Sequence, residues 1–130
     1  MREVQSVKNA FRQQVTSVKF TPDSTKLVAA GVGNKLKVIE LRTGNILHDL
    51  EHSDLIINAS PNKFAVSPNG RYCVVGGHSG TIFVFNLDTG DLEEAFDEEH
   101  NVAVLGMDWA QTSTSTVASL DKSGLLYLWK

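Results

Sequence analysis

Three times in 130 residues the same succession of short apolar segments and turns comes round, about 44 residues apart. Val18-Lys19-Phe20-Thr21-Pro22-Asp23 is followed forty-six residues later by Phe64-Ala65-Val66-Ser67-Pro68-Asn69. Forty-three residues further on stands Met107-Asp108-Trp109-Ala110-Gln111-Thr112. Leu27-Val28-Ala29-Ala30-Gly31 matches Cys73-Val74-Val75-Gly76-Gly77 and then Val117-Ala118-Ser119-Leu120-Asp121. Leu36-Lys37-Val38-Ile39-Glu40 matches Ile82-Phe83-Val84-Phe85-Asn86 and then Leu126-Tyr127-Leu128-Trp129-Lys130. Leu41-Arg42-Thr43-Gly44 returns as Leu87-Asp88-Thr89-Gly90. A repeat of this kind implies copies of one supersecondary unit, each burying its faces against its neighbours.

Each segment is five or six residues long, rich in Val, Ile, Leu and aromatics, and bounded by turn residues, which is the pattern of strands. Pro22-Asp23 and Pro68-Asn69-Gly70 place proline where a tight turn wants its fixed φ, and Gly44 and Gly90 supply residues that tolerate positive φ. No window keeps a helical period. Each unit is therefore expected to be a four-stranded antiparallel meander, with strands at 15–20, 26–31, 36–41 and 45–50 in the first unit. The second unit has them at 62–67, 71–77, 81–87 and 91–97. The second and third strands are apolar on both faces, so their sheets must be covered on both sides. The fourth is half polar, as in Leu92-Glu93-Glu94-Ala95-Phe96, and suits an outer edge. Sheets of this kind stacked around an axis make an all-β propeller.

These residues resemble WD repeats. Trp129 stands where that family's tryptophan closes the third strand, and His52 and His100 lie in the loops where it has a Gly-His pair. The resemblance covers nearly all of the chain and implies a partial WD40 β-propeller of three four-stranded blades, the last lacking its outer strand. Residues 1–11 read as the outer strand of a preceding blade, and 12–51, 52–98 and 99–130 as blades 1, 2 and 3. The family's Trp-Asp dipeptide is replaced by Ile39-Glu40, Phe85-Asn86 and Trp129-Lys130. Its aspartate, six residues before the tryptophan, is replaced by Gly33, Ser79 and Ser123. The buried His–Ser–Asp–Trp hydrogen-bond network of WD blades is therefore expected to be degenerate in all three, with Phe85 and Trp129 buried between blades. Closed propellers have roughly four to eight blades, so the chain reads as the closing piece of a longer propeller or a short isoform. On its own it is expected to need its missing blades or to self-associate.

The phrase Leu36-Lys37-Val38-Ile39-Glu40-Leu41-Arg42-Thr43, the pairing of His100 with Trp109, and the ending Asp121-Lys122 to Leu128-Trp129 resemble the final blades of the animal autophagy-related protein 16 family. That resemblance implies a scaffold for attaching Atg8-type ubiquitin-like proteins to membrane lipid. The family's coiled coil and its segment for the conjugating partner have no counterpart in these residues, so conjugation itself is not implied for the chain. A WD-repeat adaptor in ubiquitin ligation or trafficking is the alternative.

Composition narrows the remaining classes. Apolar runs are only a few residues long, against the roughly 20 a membrane helix needs. The start Met1-Arg2-Glu3-Val4-Gln5 lacks the apolar core of a secretory signal. One cysteine, Cys73, allows no internal disulfide and reads as a small core residue. A cytoplasmic location is expected, which leaves the sequon Asn58-Ala59-Ser60 unused. Residues 1–42 hold eight Lys/Arg against three Asp/Glu, and residues 43–130 hold four against twelve. Neither half has the basic stripe of a nucleic-acid binder. Membranes are expected to be reached only through partners.

Gly76-Gly77-His78-Ser79-Gly80 is no nucleophile elbow, because the glycine required two residues after the serine is Thr81 and no helix follows. Gly31-Val32-Gly33 lacks the third glycine of a dinucleotide loop, since Leu36 stands there. His48, His52, His78 and His100 lie in four separate strands or loops, which argues against zinc. No enzyme activity and no cofactor are expected. Binding falls to the loops on one rim: Arg12, Gln14, Asn34, Lys35, His52, His78, Ser79, His100 and Asn101 are the candidate partner contacts.

Overall fold

Alternating and doubly apolar segments pair in the computed structural model as eleven antiparallel strands in three separate sheets, with no helix among the described residues. The structure describes residues 2–3, 6, 11, 14–57, 64–112 and 116–130. Blade 1 is β1 (Val15–Phe20), β2 (Lys26–Gly31), β3 (Lys35–Glu40) and β4 (Ile46–Glu51), hydrogen-bonded in that order. Blade 2 is β5 (Phe64–Val66), β6 (Tyr72–Gly76), β7 (Ile82–Asn86) and β8 (Leu92–Phe96). Blade 3 is β9 (Val104–Trp109), β10 (Val117–Asp121) and β11 (Leu126–Trp129), three strands among the described residues. Every strand expected in blades 1 and 2 is found, with ends shifted by a residue or two. The proposed outer strand within 1–11 and the sequon at Asn58 fall largely or wholly outside the described residues.

The repeat is legible in the turns. In blade 1 the Thr21 hydroxyl donates to Asp23 (2.7 Å), which also accepts the Thr25 N–H (3.0 Å), while Lys26 N–H donates to Thr21 Oγ1 (3.2 Å). Blade 2 repeats the wiring with Ser67, Asn69, Arg71 and Tyr72 at 2.6, 3.0 and 3.0 Å. These hydrogen bonds hold the Asp23 carboxyl down at about 2, the Thr25 amide first and the Thr21 hydroxyl next. Gly44 and Gly90, at φ 75° and 81°, turn the chain from the third strand to the fourth as expected.

Strand register decides which blade each side chain meets. Cys73, Val75, Phe83 and Phe85 point to blade 1 and pack with Val28, Leu36, Val38 and Leu50 in one cluster. Their alternates Val74 and Ile82 point the other way and pack with Val104, Met107, Trp109 and Val117 of blade 3. A one-residue slip would exchange the two faces, and since both are apolar but differently shaped, packing selects the register. Phe85 is buried, as expected, and removing such a ring from water contributes about 1.5–3 kcal/mol. Trp129 differs from expectation: it is only half-buried, because β11 is paired with β10 alone and its outer side carries no strand among the described residues. Blade 2 is thus covered on both faces, whereas the outer faces of blades 1 and 3 leave Val18, Phe20, Leu126 and Leu128 exposed.

Candidate interaction rim and a buried histidine network

The loop into each first strand is tied by backbone hydrogen bonds to the hairpins beside it, and this assembles one rim. Gly33 and Ile57 exchange two bonds (3.0 and 2.7 Å), and His78 N–H donates to Ile56 O (2.9 Å). At the next junction Val104 N–H donates to Gly77 O (3.1 Å) and Lys122 N–H to Ala103 O (3.0 Å). Gly80, at φ 98°, lies against the His100 carbonyl, where a Cβ would overlap that oxygen.

Among the candidate contacts, Gln14, Asn34, His78, Ser79 and Asn101 are exposed on this rim. Val32 N–H donates to Gln14 O (2.8 Å) and His52 N–H to Asn34 O (3.4 Å), so these positions are neighbours. Lys35 is half-buried and pairs with Asp49 at 3.7 Å. His52 is half-buried too: its ring lies 5.2 Å from Phe83, and Nδ1 accepts the Asp54 N–H at 3.0 Å. Arg12 lies outside the described residues. Ser79 Oγ sits 3.4 Å from Thr81 Oγ1 on an exposed hairpin.

His100 does not belong to the rim. Its side chain is 0% exposed, with Nδ1 2.7 Å from Asp121 Oδ2 and Nε2 2.7 Å from Ser119 Oγ. Trp129 Nε1–H donates to the same Ser119 oxygen at 2.8 Å. The expectation of a degenerate network is therefore wrong for blade 3, where it is complete. The acid is Asp121, eight residues before Trp129, and not the six-residue position of Ser123. Ser123 instead donates its N–H and its hydroxyl to Asp121 Oδ1 (2.8 and 2.6 Å). The alternation of Ser119 and Asp121 on β10 was the available signal, because it puts both on the face that receives Trp129.

Proton roles follow from the geometry. The Asp121 carboxyl is held well below the usual carboxylate range, by the Ser123 hydroxyl first and His100 next. Ionised Asp121 accepts the Nδ1 proton of His100, and Ser119 Oγ, which accepts from Trp129 Nε1–H, lies within hydrogen-bond distance of Nε2. The arrangement has the connectivity of a Ser–His–Asp triad, but Ser119 is 1% exposed and Trp129 occupies its approach. A nucleophile needs room for a carbonyl beside it, and here the contacts hold the sheet. Burial raises the Cys73 thiol to about 12, which removes it from thiolate chemistry. Beside Trp129 an open groove of about 280 Å³ runs between β8 and β11, lined by Ile82, Phe96, Trp109 and Lys130 among others.

The family model for WD domain, G-beta repeat, matches residues 3–40 and 44–86. Protein Atg16l2 of Homo sapiens is 30% identical over 117 residues, 90% of this chain and 19% of that protein. Autophagy-related protein 16 of Arabidopsis thaliana is 25% identical over 115 residues, 88% of the chain and 22% of its own length. WD repeat and HMG-box DNA-binding protein 1 of Homo sapiens is 29% identical over 100 residues, 77% of the chain and 9% of that protein. The chain thus spans about a fifth or less of these relatives. A solved structure described as that of U3-55K superposes with a TM-score of 0.79 at 19% identity, covering 92% of the chain and 37% of the other. With more than half its length matched, the chain belongs to the WD domain, G-beta repeat family.

Proposed function

We propose that the chain is a non-catalytic protein-interaction scaffold in autophagosome assembly, serving the conjugation of Atg8-type ubiquitin-like proteins to membranes by recruiting partners. The observation that carries this reading is similarity to autophagy-related 16 proteins of an animal and a plant across nearly nine tenths of the chain. The rim of Gln14, Asn34, Lys35, His52, His78, Ser79 and Asn101 is the partner surface in this reading; Arg12, outside the described residues, stays in the set from sequence alone, and His100 is removed from it. Mixed polar loops on a rigid propeller suit peptide recognition. The protein works in the cytoplasm and meets membranes through what it binds, and neither nucleic acid nor a cofactor enters.

Disrupting the gene in its source cells is expected to lower the lipid-linked fraction of Atg8-type protein on starvation. The wild-type gene should restore it, and the triple variant His52→Ala, His78→Ala, Asn101→Ala should not. Unchanged lipidation after disruption overturns the reading. The similarity to WD repeat and HMG-box DNA-binding protein 1 favours, in that case, a WD-repeat adaptor in another pathway.

A further inference from the structure

We propose that Asn69 is a site of spontaneous deamidation, where the turn between β5 and β6 exchanges a neutral amide for a carboxylate that its hydrogen bonds already fit. Asn69-Gly70 is the only Asn-Gly pair in the sequence. A glycine nitrogen is the least hindered one a following residue can offer to the side chain. Asn34, Asn45, Asn86 and Asn101 are followed instead by Lys35, Ile46, Leu87 and Val102. Asn69 is exposed, and Gly70 turns the chain at φ 72°.

Blade 1 shows what the product requires, because Asp23 stands there in the place of Asn69 with the same wiring. The hydroxyl of Thr21 or Ser67 donates to the side-chain oxygen (2.7 and 2.6 Å), and so does the N–H two residues on (3.0 Å in both). The N–H of Ser24 or Gly70 donates to the carbonyl of Thr21 or Ser67 (2.9 Å in both). Both side-chain bonds at Asn69 end on Oδ1, which a carboxylate also presents, so loss of the amide nitrogen breaks neither. Donors of this kind bind a carboxylate more strongly than an amide. In blade 1 they hold the Asp23 carboxyl at about 2, the Thr25 amide first, so an acid is ionised and satisfied in this turn.

The step needs water and no other reactant. The Gly70 nitrogen gives its proton to water and bonds to Asn69 Cγ, closing a five-membered imide. The Cγ–Nδ2 bond breaks and ammonia leaves. Water then opens the ring. Cleavage at Cγ restores the main chain and leaves aspartate, whereas cleavage at the backbone carbonyl leaves isoaspartate, with an extra methylene in the main chain. Attack requires Oδ1 and the Gly70 N–H to be free of the bonds just described, so the intact turn is a brake and Ser67 is its pin. Isoaspartate would also lengthen a turn that packs on blade 1, where a Cβ on Gly70 would stand 3.7 Å from Pro22 Cδ. The folded chain therefore favours aspartate. The new charge appears at the end of the blades opposite the candidate rim, near Arg71, which pairs with Asp88 at 3.6 Å.

The test is incubation of the purified protein at mildly alkaline pH, read by peptide mass and an isoaspartate-specific assay. The peptide carrying Asn69 is expected to convert before any other asparagine peptide, with aspartate in excess of isoaspartate. Ser67→Ala should convert several-fold faster than wild type. Gly70→Ser, which copies Ser24 at φ 61°, should convert several-fold slower. Asn69→Asp should keep the wild-type melting midpoint. Earlier conversion of another asparagine overturns the proposal, and so does an excess of isoaspartate or a Ser67→Ala rate no higher than wild type. A lowered midpoint for Asn69→Asp means that the turn rejects the acid and overturns it too. Should Ser67→Ala not fold, wild type in denaturant must convert faster than in buffer, and equal rates sink the gating by the turn.

Discussion

Where blade 3 sets buried Ser119 and Asp121 and half-buried Trp129 around His100, blade 2 carries Val75, Gly77 and Phe85 beside His52. The ring contacts survive in both: His100 lies 5.0 Å from Tyr127, and His52 lies 5.2 Å from Phe83. Blade 2 has none of these three hydrogen-bonding partners at the matching positions, and its histidine is half-exposed. A buried network is favourable only when every member is satisfied, and a half-satisfied one is worse than an apolar core. The pair shows both allowed ends of that choice within one chain. Blade 2 is packed by apolar contact from both sides, while blade 3, packed on the one face it turns to blade 2, adds polar contacts inside its own sheet.

The largest expected effect tests the apolar end of the comparison. Phe85→Ala removes a buried ring between blades 1 and 2 and should cost about 3–5 kcal/mol by denaturant titration. Half-buried Trp129→Ala should cost less. Equal losses would mean that blade 2 does not depend on inter-blade packing more than blade 3 does. These titrations belong at one protein concentration, because association shifts apparent stability.

Next in size are reciprocal exchanges at one position. Ser119→Ala leaves His100 Nε2 and Trp129 Nε1–H without their shared partner and should cost about 1–3 kcal/mol. Val75→Ser places a hydroxyl where blade 2 offers no tetrad partner, with a similar expected cost. A neutral or stabilising Val75→Ser would show that blade 2 keeps a hidden acceptor. His52→Ala, at a ring 35% exposed, should stay within about 1 kcal/mol, in contrast to His100→Ala, whose larger loss is read in the same titration.

The smallest effects are in acid. A carboxyl held low when folded lends stability above its unfolded value, about 3.9, and loses it as pH falls through the folded value. Asp121 should therefore make blade 3 acid-labile below about pH 4, and Asp121→Asn should flatten that limb while lowering stability at neutral pH. Asp23 shares the sign over the window from about 4 to about 2, and as an exposed turn residue it should contribute the lesser slope. A steeper acid limb lost with Asp23→Asn than with Asp121→Asn would reverse this ranking of the two carboxylates.

Much of this molecule is determined by local sequence. The repeat, strand positions, turn chemistry and outer placement of β8 depend on residues a few positions apart, whose propensities and periods act before any blade meets another. The same local reading placed Gln14, Asn34, His78, Ser79 and Asn101 on exposed loops. It misplaced His100 because a histidine entering a first strand is the same letter whether it faces solvent or a serine nineteen residues away. Only tertiary structure decided that His100, Ser119, Asp121 and Trp129 converge, that Trp129 is half-open, and that His52 leans on Phe83. The physical reason is that these depend on strand register and on which face each neighbouring blade covers, and burial turns a two-residue difference in spacing into the difference between a rim contact and a satisfied polar core.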